Sequence, residues 1–258
     1  MAEKKKILLS GIQPSGKLHI GNYFGALRQF VELQNSGTHD IYISVVNYHA
    51  LTSVNSRETL VENTTNTIID HLALGIKPEN IFLQSDIPEV AELAWIFNTL
   101  ITVPYLSRAV AYKEKIEKGL EATVGLFEYP VLMAADILIM DADTVPVGQD
   151  QKQHVEIACD LAEKFNSRYG ETFTLPEEYI LKDVAVVPGI DGQKMSKSYK
   201  NTIPLFASDA EIEKLVMSIV TEHRMPKCSM AARLAGRRKN LRDGKDGLKK
   251  SSLTMMER

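Results

Sequence analysis

Two short stretches carry residues whose types and spacing suit phosphate chemistry. Ser10–Asn22 reads SGIQPSGKLHIGN, and Gly192–Asn201 reads GQKMSKSYKN. In the first, an apolar run, Ile7–Leu9, leads into Gly11, Pro14 and Gly16, and an amphipathic run starts at Ile20. Strand, turn-rich loop and helix start in that order aim free backbone N–H groups at one point, which suits an anion. His19 and Asn22 stand on either side of Gly21. In the second stretch, Lys194 and Lys197 are three apart, with Ser196 and Ser198 interleaved. Lys and Ser of this kind also fill ordinary solvated loops. On one doubly wound sheet, however, the loops after the strand ends line a single crevice, so the two stretches can face each other. A third candidate is Asp136, set in an apolar run between Ala135 and Ile137. An acid there is costly without a partner. From its surroundings in the sequence, that partner would be an Arg or a backbone donor.

The elements that must position these residues follow from periodicity. Ile20, Phe24, Leu27 and Val31 predict a helix from Ile20 to about Gln34. Ile41–Val46 and Asn80–Gln84 read as strands. A helix from Arg57, preceded by Asn55-Ser56 and stopped by Gly75, lies between them. Strand, helix, strand, helix, strand argues for an α/β fold: a Rossmann-like, doubly wound parallel sheet with helices on both faces. Glu89–Thr102 and Tyr105–Lys118 then read as two inserted helices, a helical insertion over about 86–128. Ala91, Leu93, Ala94, Ile96, Phe97 and Leu100 supply more apolar surface than one buried face needs. That fits either a dimer surface or a buried core helix. The second half opens at Tyr129-Pro130, with Pro in the first turn of a helix carrying LMAADILIM. Val145–Gly148 is the next expected strand, Asp150 caps a helix to about Arg168, and Val184–Val187 is the last strand. Ser208 caps a final helix, Asp209–Val220.

Composition bounds the rest. With 258 residues, 44% hydrophobic and 24% charged, the chain can bury a proper core. The apolar run behind Met1-Ala2-Glu3-Lys4-Lys5-Lys6 is too short for a signal peptide or membrane span. Cys159 and Cys228 lack metal or disulfide spacing, which points to a reducing, cytoplasmic setting and no structural metal. Residues 222–258 hold eleven Lys/Arg against four Asp/Glu, and no Val, Ile, Phe, Tyr or Trp. Such a basic tail cannot build a core and is expected to be disordered.

HIGN and KMSKS together make the sequence resemble the class I aminoacyl-tRNA synthetases. SGIQPSGKLHIGNYFGALRQFVELQ, YPVLMAADILIM, VPVGQDQKQHVEIACDLAEKFN and DGQKMSKSYKN bring it closest to the bacterial tryptophanyl-tRNA synthetase family. These stretches run from Ser10 to about Asn201, and the general likeness reaches Thr221. The resemblance implies a catalytic domain over 1–221 that activates L-tryptophan with ATP and passes it to tRNA(Trp). It further implies Mg²⁺ on the nucleotide, a homodimer, and a cytoplasmic location.

The resemblance also implies roles. Gln13, Pro14 and Ser15 would line the phosphate region, with His19, Gly21 and Asn22 meeting the nucleotide. Gly148, Gln149 and Asp150 would face the ribose, although many members of the family carry Glu where Gln149 stands. Val186 would offer backbone contacts to adenine, and Lys115 would reach the phosphates. Lys194 and Lys197, within Lys194-Met195-Ser196-Lys197-Ser198, would stabilise leaving pyrophosphate, and Gln13 would join them in catalysis. Asp136 would accept the indole N–H of tryptophan, with Tyr129, Met133 and Gln151 holding the amino acid. Plain readings stand beside these: core filling for Met133, an exposed helix lysine for Lys115, and helix packing for Gly21.

The family continues past KMSKS with a helical anticodon-recognition domain, which residues 222–258 do not resemble. A truncated gene read out of frame, a cloning artefact, or a basic tail gripping tRNA phosphates would each give such a tail. The competing functions are a tyrosine-specific relative, a small-molecule adenylyltransferase, and an inactive synthetase-like fragment.

Overall fold

The computed structural model describes residues 5–108, 121–147, 152–180 and 187–219. The chain divides into Met1–Ile219 and Val220–Arg258, and the second unit lies outside the described residues. Five parallel strands, β1 (Lys6–Ile12), β2 (His39–Val45), β3 (Ile81–Leu83), β4 (Thr144–Val147) and β5 (Glu177–Ile180), form one sheet in the order β3-β2-β1-β4-β5. β1 pairs with β2 from Lys6↔His39 to Ile12↔Val45, and with β4 at Leu8↔Thr144. The chain thus winds outward from β1 to β3, then resumes on the other side of β1. That reversal opens a crevice at the carboxyl ends of β1 and β4.

Alternation along β1 separates the two faces. Leu9 joins a cluster with Phe97, Val131, Ala135 and Leu161, whereas Leu8 joins Leu27, Phe30, Ile43 and Ile76. Burial on both sides is why these strands read as apolar runs. On the second face, Gln34 is buried and fully paired. Its Nε2 donates to the Gly75 carbonyl at 3.1 Å, and its Oε1 accepts from Lys77 N–H and Asn80 Nδ2, both at 2.9 Å. Gly75, with φ +98°, makes the left-handed turn that stops helix α4 (Arg57–Ala73). Ser56 Oγ caps the other end, accepting from Thr59 N–H.

Several expectations shift. The helix predicted from Ile20 runs as α1 (Ile20–Asn22), a π-helical segment Tyr23–Leu27, and α2 (Arg28–Ser36). Apolar spacings of three and four cannot separate these windings. A π turn takes up one extra residue, and Phe24, which lies inside it, is 42% exposed rather than on the buried face. A short helix, α3 (Asn47–Ala50), follows β2.

The first insertion helix is α5 (Glu89–Asn98), shorter than Glu89–Thr102. Thr102 instead leads into α6 (Val103–Leu106), with Pro104 in its first turn. Residues 109–120 lie outside the described residues. Within α5, Phe97 and Ala94 are core, while Trp95 and Ile96 face solvent.

Pro130 does not open a helix. α7 (Val124–Ile139) starts at the cap Thr123, whose hydroxyl accepts from Leu126 N–H at 3.2 Å, and Pro130 sits in its interior. Proline there withholds one helical hydrogen bond. Packing of the buried Leu126, Val131, Ala134 and Ala135 holds the helix regardless. Helix α8 (Lys152–Tyr169) follows β4, with its expected cap Asp150 outside the described residues. The last described strand is Glu177–Ile180, and the strand expected at Val184–Val187 falls mostly outside the described residues. Among the described residues β5 borders only β4, and its polar sequence EEYI suits an edge. Residues 181–186 lie outside the described residues, and Val187 is not in a strand. The final helix, α9 (Asp209–Met217), is capped by Ser208 as expected.

Phe97 is fully buried, edge-on to Phe165 at 6.2 Å and Phe173 at 5.6 Å. Phe97→Ala is therefore expected to lower the unfolding free energy by about 3–5 kcal/mol in a urea titration. A loss below about 0.5 kcal/mol, typical of surface sites, would contradict its place in the core.

Candidate active site

β1 delivers the first loop to the crevice. Ser15 N–H closes a tight turn on the Gln13 carbonyl at 2.8 Å, and Gly16 at φ +100° supplies a conformation other residues resist. Pro14 is buried beneath the turn. Gln13 Nε2 donates to Ser53 Oγ at 3.1 Å and, more weakly, to the His49 carbonyl at 3.4 Å. The helix start follows at His19. Asn22 Oδ1 accepts from His19 N–H at 3.0 Å, which caps the turn.

The second loop is zipped onto the first. Ile20 N–H donates to the Ile203 carbonyl at 3.1 Å, and Leu205 N–H to the Leu18 carbonyl at 2.9 Å. Lys197 completes the contact, its Nζ donating to the Gly16 carbonyl at 2.9 Å and to the Ser15 carbonyl and Oγ at 3.3 and 3.4 Å. Burial pushes the Lys197 ammonium below its ordinary value, while Asp70 opposes that. Burial also raises the Asp70 carboxyl, against the Leu18 N–H and the nearby positive charges.

Asn201, itself 2% exposed, shapes the loop from inside. Its Oδ1 accepts from Ser196 N–H at 2.8 Å, and its Nδ2 donates to Asp191 at 2.8 Å and the Lys194 carbonyl at 3.1 Å. A Cβ on Gly189 would lie 2.4 Å from the Asn201 amide, so only glycine fits there. Met195 is buried and Lys194 is exposed. Ser198 lies in the short turn Lys197–Tyr199.

Gly21 is explained by packing: a Cβ there would stand 2.9 Å from His19 Nδ1 and 3.4 Å from Met195 Cβ. The His19 ring is thus pressed between its own turn and the second loop.

Asp136, on α7, is 7% exposed. Among the described residues, its partners are neither an Arg nor a backbone donor. Gln84 Nε2 lies 2.8 and 2.9 Å from its two oxygens, and His49 Nε2 lies 3.0 Å from Oδ2. Facing a carboxylate, His49 Nε2 carries its hydrogen. His49 also lies edge-on to Tyr129 at 6.2 Å, and the buried Tyr129 hydroxyl meets His154 Nε2 at 2.9 Å. Met133, half-buried, packs against the same core.

The structure therefore gathers Gln13, Pro14, Ser15, His19, Gly21, Asn22, Met195, Ser196 and Lys197 around one crevice, with Tyr129 and Asp136 joined to it through His49. Lys115, Gly148, Gln149, Asp150, Gln151 and Val186 lie outside the described residues. Sequence reasoning passed over His49, Gln84, Asp70, Asn201 and His154. The available signal for the first two was a polar residue at or just beyond a strand's carboxyl end. Among the described residues, no group of three or more His, Cys, Asp or Glu is placed to hold a metal.

The His19 imidazole is pushed below 6.5 by burial and, secondarily, by the charge on Lys197. The fold favours neutral His19, so this contribution to stability is present above 6.5 and is lost as the pH falls through the depressed value. In an NMR titration, His19 is expected to protonate below 6.5, and Lys197→Met to move it partway back up. An unchanged midpoint in the variant would contradict the contact between the two loops.

Comparison with known proteins agrees with this geometry. The family model described as tRNA synthetases class I (W and Y) matches residues 1–237. A tryptophan–tRNA ligase from Fusobacterium nucleatum is 57% identical over 217 residues, covering 83% of this chain and 66% of that protein. One from Rhodopirellula baltica is 53% identical over 219 residues, covering 84% and 68%. The crystal structure of Campylobacter jejuni tryptophanyl-tRNA synthetase, complexed with ADP and tryptophan, superposes with a TM-score of 0.81 at 51% identity, covering 85% of this chain and 69% of that one. The chain thus spans about two thirds of the length of the curated relatives it matches. With two signature loops zipped across one parallel-sheet crevice and a family match over most of its length, the chain belongs to the class I aminoacyl-tRNA synthetases of the tryptophan and tyrosine branch.

Proposed function

We propose that the chain is a tryptophan–tRNA ligase. It activates L-tryptophan with ATP and transfers it to tRNA(Trp), with activation housed in the described crevice. The observation that carries this reading is the Lys197 clasp on Ser15 and Gly16, which closes the second loop over the first. The relatives named above are tryptophan–tRNA ligases, and the Campylobacter structure is a complex with ADP and tryptophan.

The tryptophan carboxylate attacks the α-phosphorus of ATP, and the bond to pyrophosphate breaks. The nucleophile is already an anion, so no base is needed, and catalysis rests on positioning and charge stabilisation. Lys197, joined by Lys194, stabilises charge on the departing pyrophosphate. In this reading the ammonium that meets the Ser15 and Gly16 oxygens is within reach of phosphates seated on the first loop. Gln13, braced by Ser53, faces the same phosphates. Lys115, Gly148, Gln149, Asp150 and Val186 complete the nucleotide site. Mg²⁺ would be held by the substrate phosphates more than by protein side chains, and would supply neutralisation of their charge.

Asp136 accepts the indole N–H, and Tyr129, Met133 and Gln151 enclose the ring. A site built to use that N–H rejects a ligand lacking it, because its own polar group is left unpaired. Transfer to the tRNA 3′ end is the second step of the same reading. The reading also implies a cytoplasmic homodimer. Trp95, Val103 and Val124, exposed at 72%, 66% and 69%, are apolar surface of the kind such a contact would cover. Among the described residues no helix is long and apolar enough to cross a membrane.

Pyrophosphate exchange measured beside tRNA charging tests the reading. Exchange should depend on tryptophan over phenylalanine by ~10⁴ or more, and Lys197→Ala should lower kcat by about 10²–10³. Exchange driven by tyrosine, or none at all, would sink the proposal.

A further inference from the structure

We infer that Gln84 is a positioning residue for amino-acid selection, holding Asp136 in the orientation that reads the indole N–H. The inference rests on the tryptophan reading of this crevice. Gln84 is the first residue of the turn Gln84–Asp86, directly after β3, and it is fully buried. Its Oε1 accepts from Tyr48 N–H at 2.9 Å. Only an oxygen can accept there, so that bond decides which way the amide faces. The NH₂ group must then point away from Tyr48, and it meets both Asp136 oxygens, at 2.8 and 2.9 Å. Reversing the amide would set oxygen against carboxylate and NH₂ against N–H, losing every bond at once.

The frame around this amide is braced separately. Ser85 N–H donates to Asn47 Oδ1 at 3.1 Å, and Asn47 Nδ2 donates back to Ser85 Oγ at 2.9 Å. This reciprocal pair ties the residues just after β2 to those just after β3, fixing Tyr48 and Gln84 relative to each other. With His49 on Oδ2 at 3.0 Å, protein donors occupy much of what a carboxylate can accept. The acceptor direction left over is fixed in space, and a ligand must present its N–H along it. Gln84 touches the ligand only through Asp136.

The test compares tryptophan with its analogue carrying sulfur in place of the indole N–H, by kcat/KM in pyrophosphate exchange. Gln84→Met keeps length and volume but removes every hydrogen bond. It should cut the preference for tryptophan over the sulfur analogue by about 10- to 100-fold, acting through the tryptophan KM while the ATP KM stays unchanged. Gln84→Asn, which keeps the amide but withdraws it by one methylene, serves where the first variant melts at assay temperature, and should cut the preference in the same direction. In a double-mutant cycle, adding Gln84→Met to Asp136→Ala should cost no further preference, since Gln84 acts through Asp136. Additive losses would overturn the inference, as would a folded variant that keeps the full preference. Wild-type protein without tryptophan-dependent exchange would instead overturn the functional reading on which the inference stands.

Discussion

A carboxylate buried in an apolar helix has to be given donors, and that requirement draws the site together. Asp136 finds none on its own helix. It takes them from Gln84, at the end of β3, and from His49, just past β2. Stripping one donor from a buried charged group costs more than the bond contributed, because the desolvated charge remains. Three separate elements are therefore bound to converge beneath the crevice. His49 extends the convergence, since its carbonyl accepts from Gln13 on the loop after β1. One residue thus links the buried carboxylate on α7 to the loop after β1.

The second constraint is the placement of a positive charge. Lys197 is partly withdrawn from water and is met by neutral oxygens of Ser15 and Gly16. Neutral oxygens hold an ammonium in place without cancelling its charge, so an incoming phosphate can outbid them. The backbone pairing of Leu18 and Ile20 with Leu205 and Ile203 keeps the two loops in register whether or not the lysine is engaged. Asn201 keeps the lysine loop's own shape by satisfying Ser196, Lys194 and Asp191 from within.

Much of this was legible from residue order. Strand, helix, strand, helix, strand through residue 84 named the sheet type, and the two loops announced themselves by composition. What escaped had physical reasons. Gln84 and His49 are unremarkable polar residues until the sheet order makes their strand ends converge. Pro130 read as a helix start because local rules place it there, and packing of a buried helix overrode them. Glu177–Ile180, at the edge of the sheet among the described strands, is polar, since a strand bordered on one side need not read as an apolar run. The apolar excess of α5 fits a dimer surface or a buried core helix by sequence alone, because spacing does not show which residues face the core: Phe97 is buried and Trp95 exposed.

A crystal structure of the chain with bound L-tryptophan tests the central claim most directly. The account predicts the indole nitrogen about 3 Å from an Asp136 oxygen, with Gln84 and His49 still on that carboxylate. An indole seated elsewhere, or bound with Asp136 turned away from it, would contradict the account.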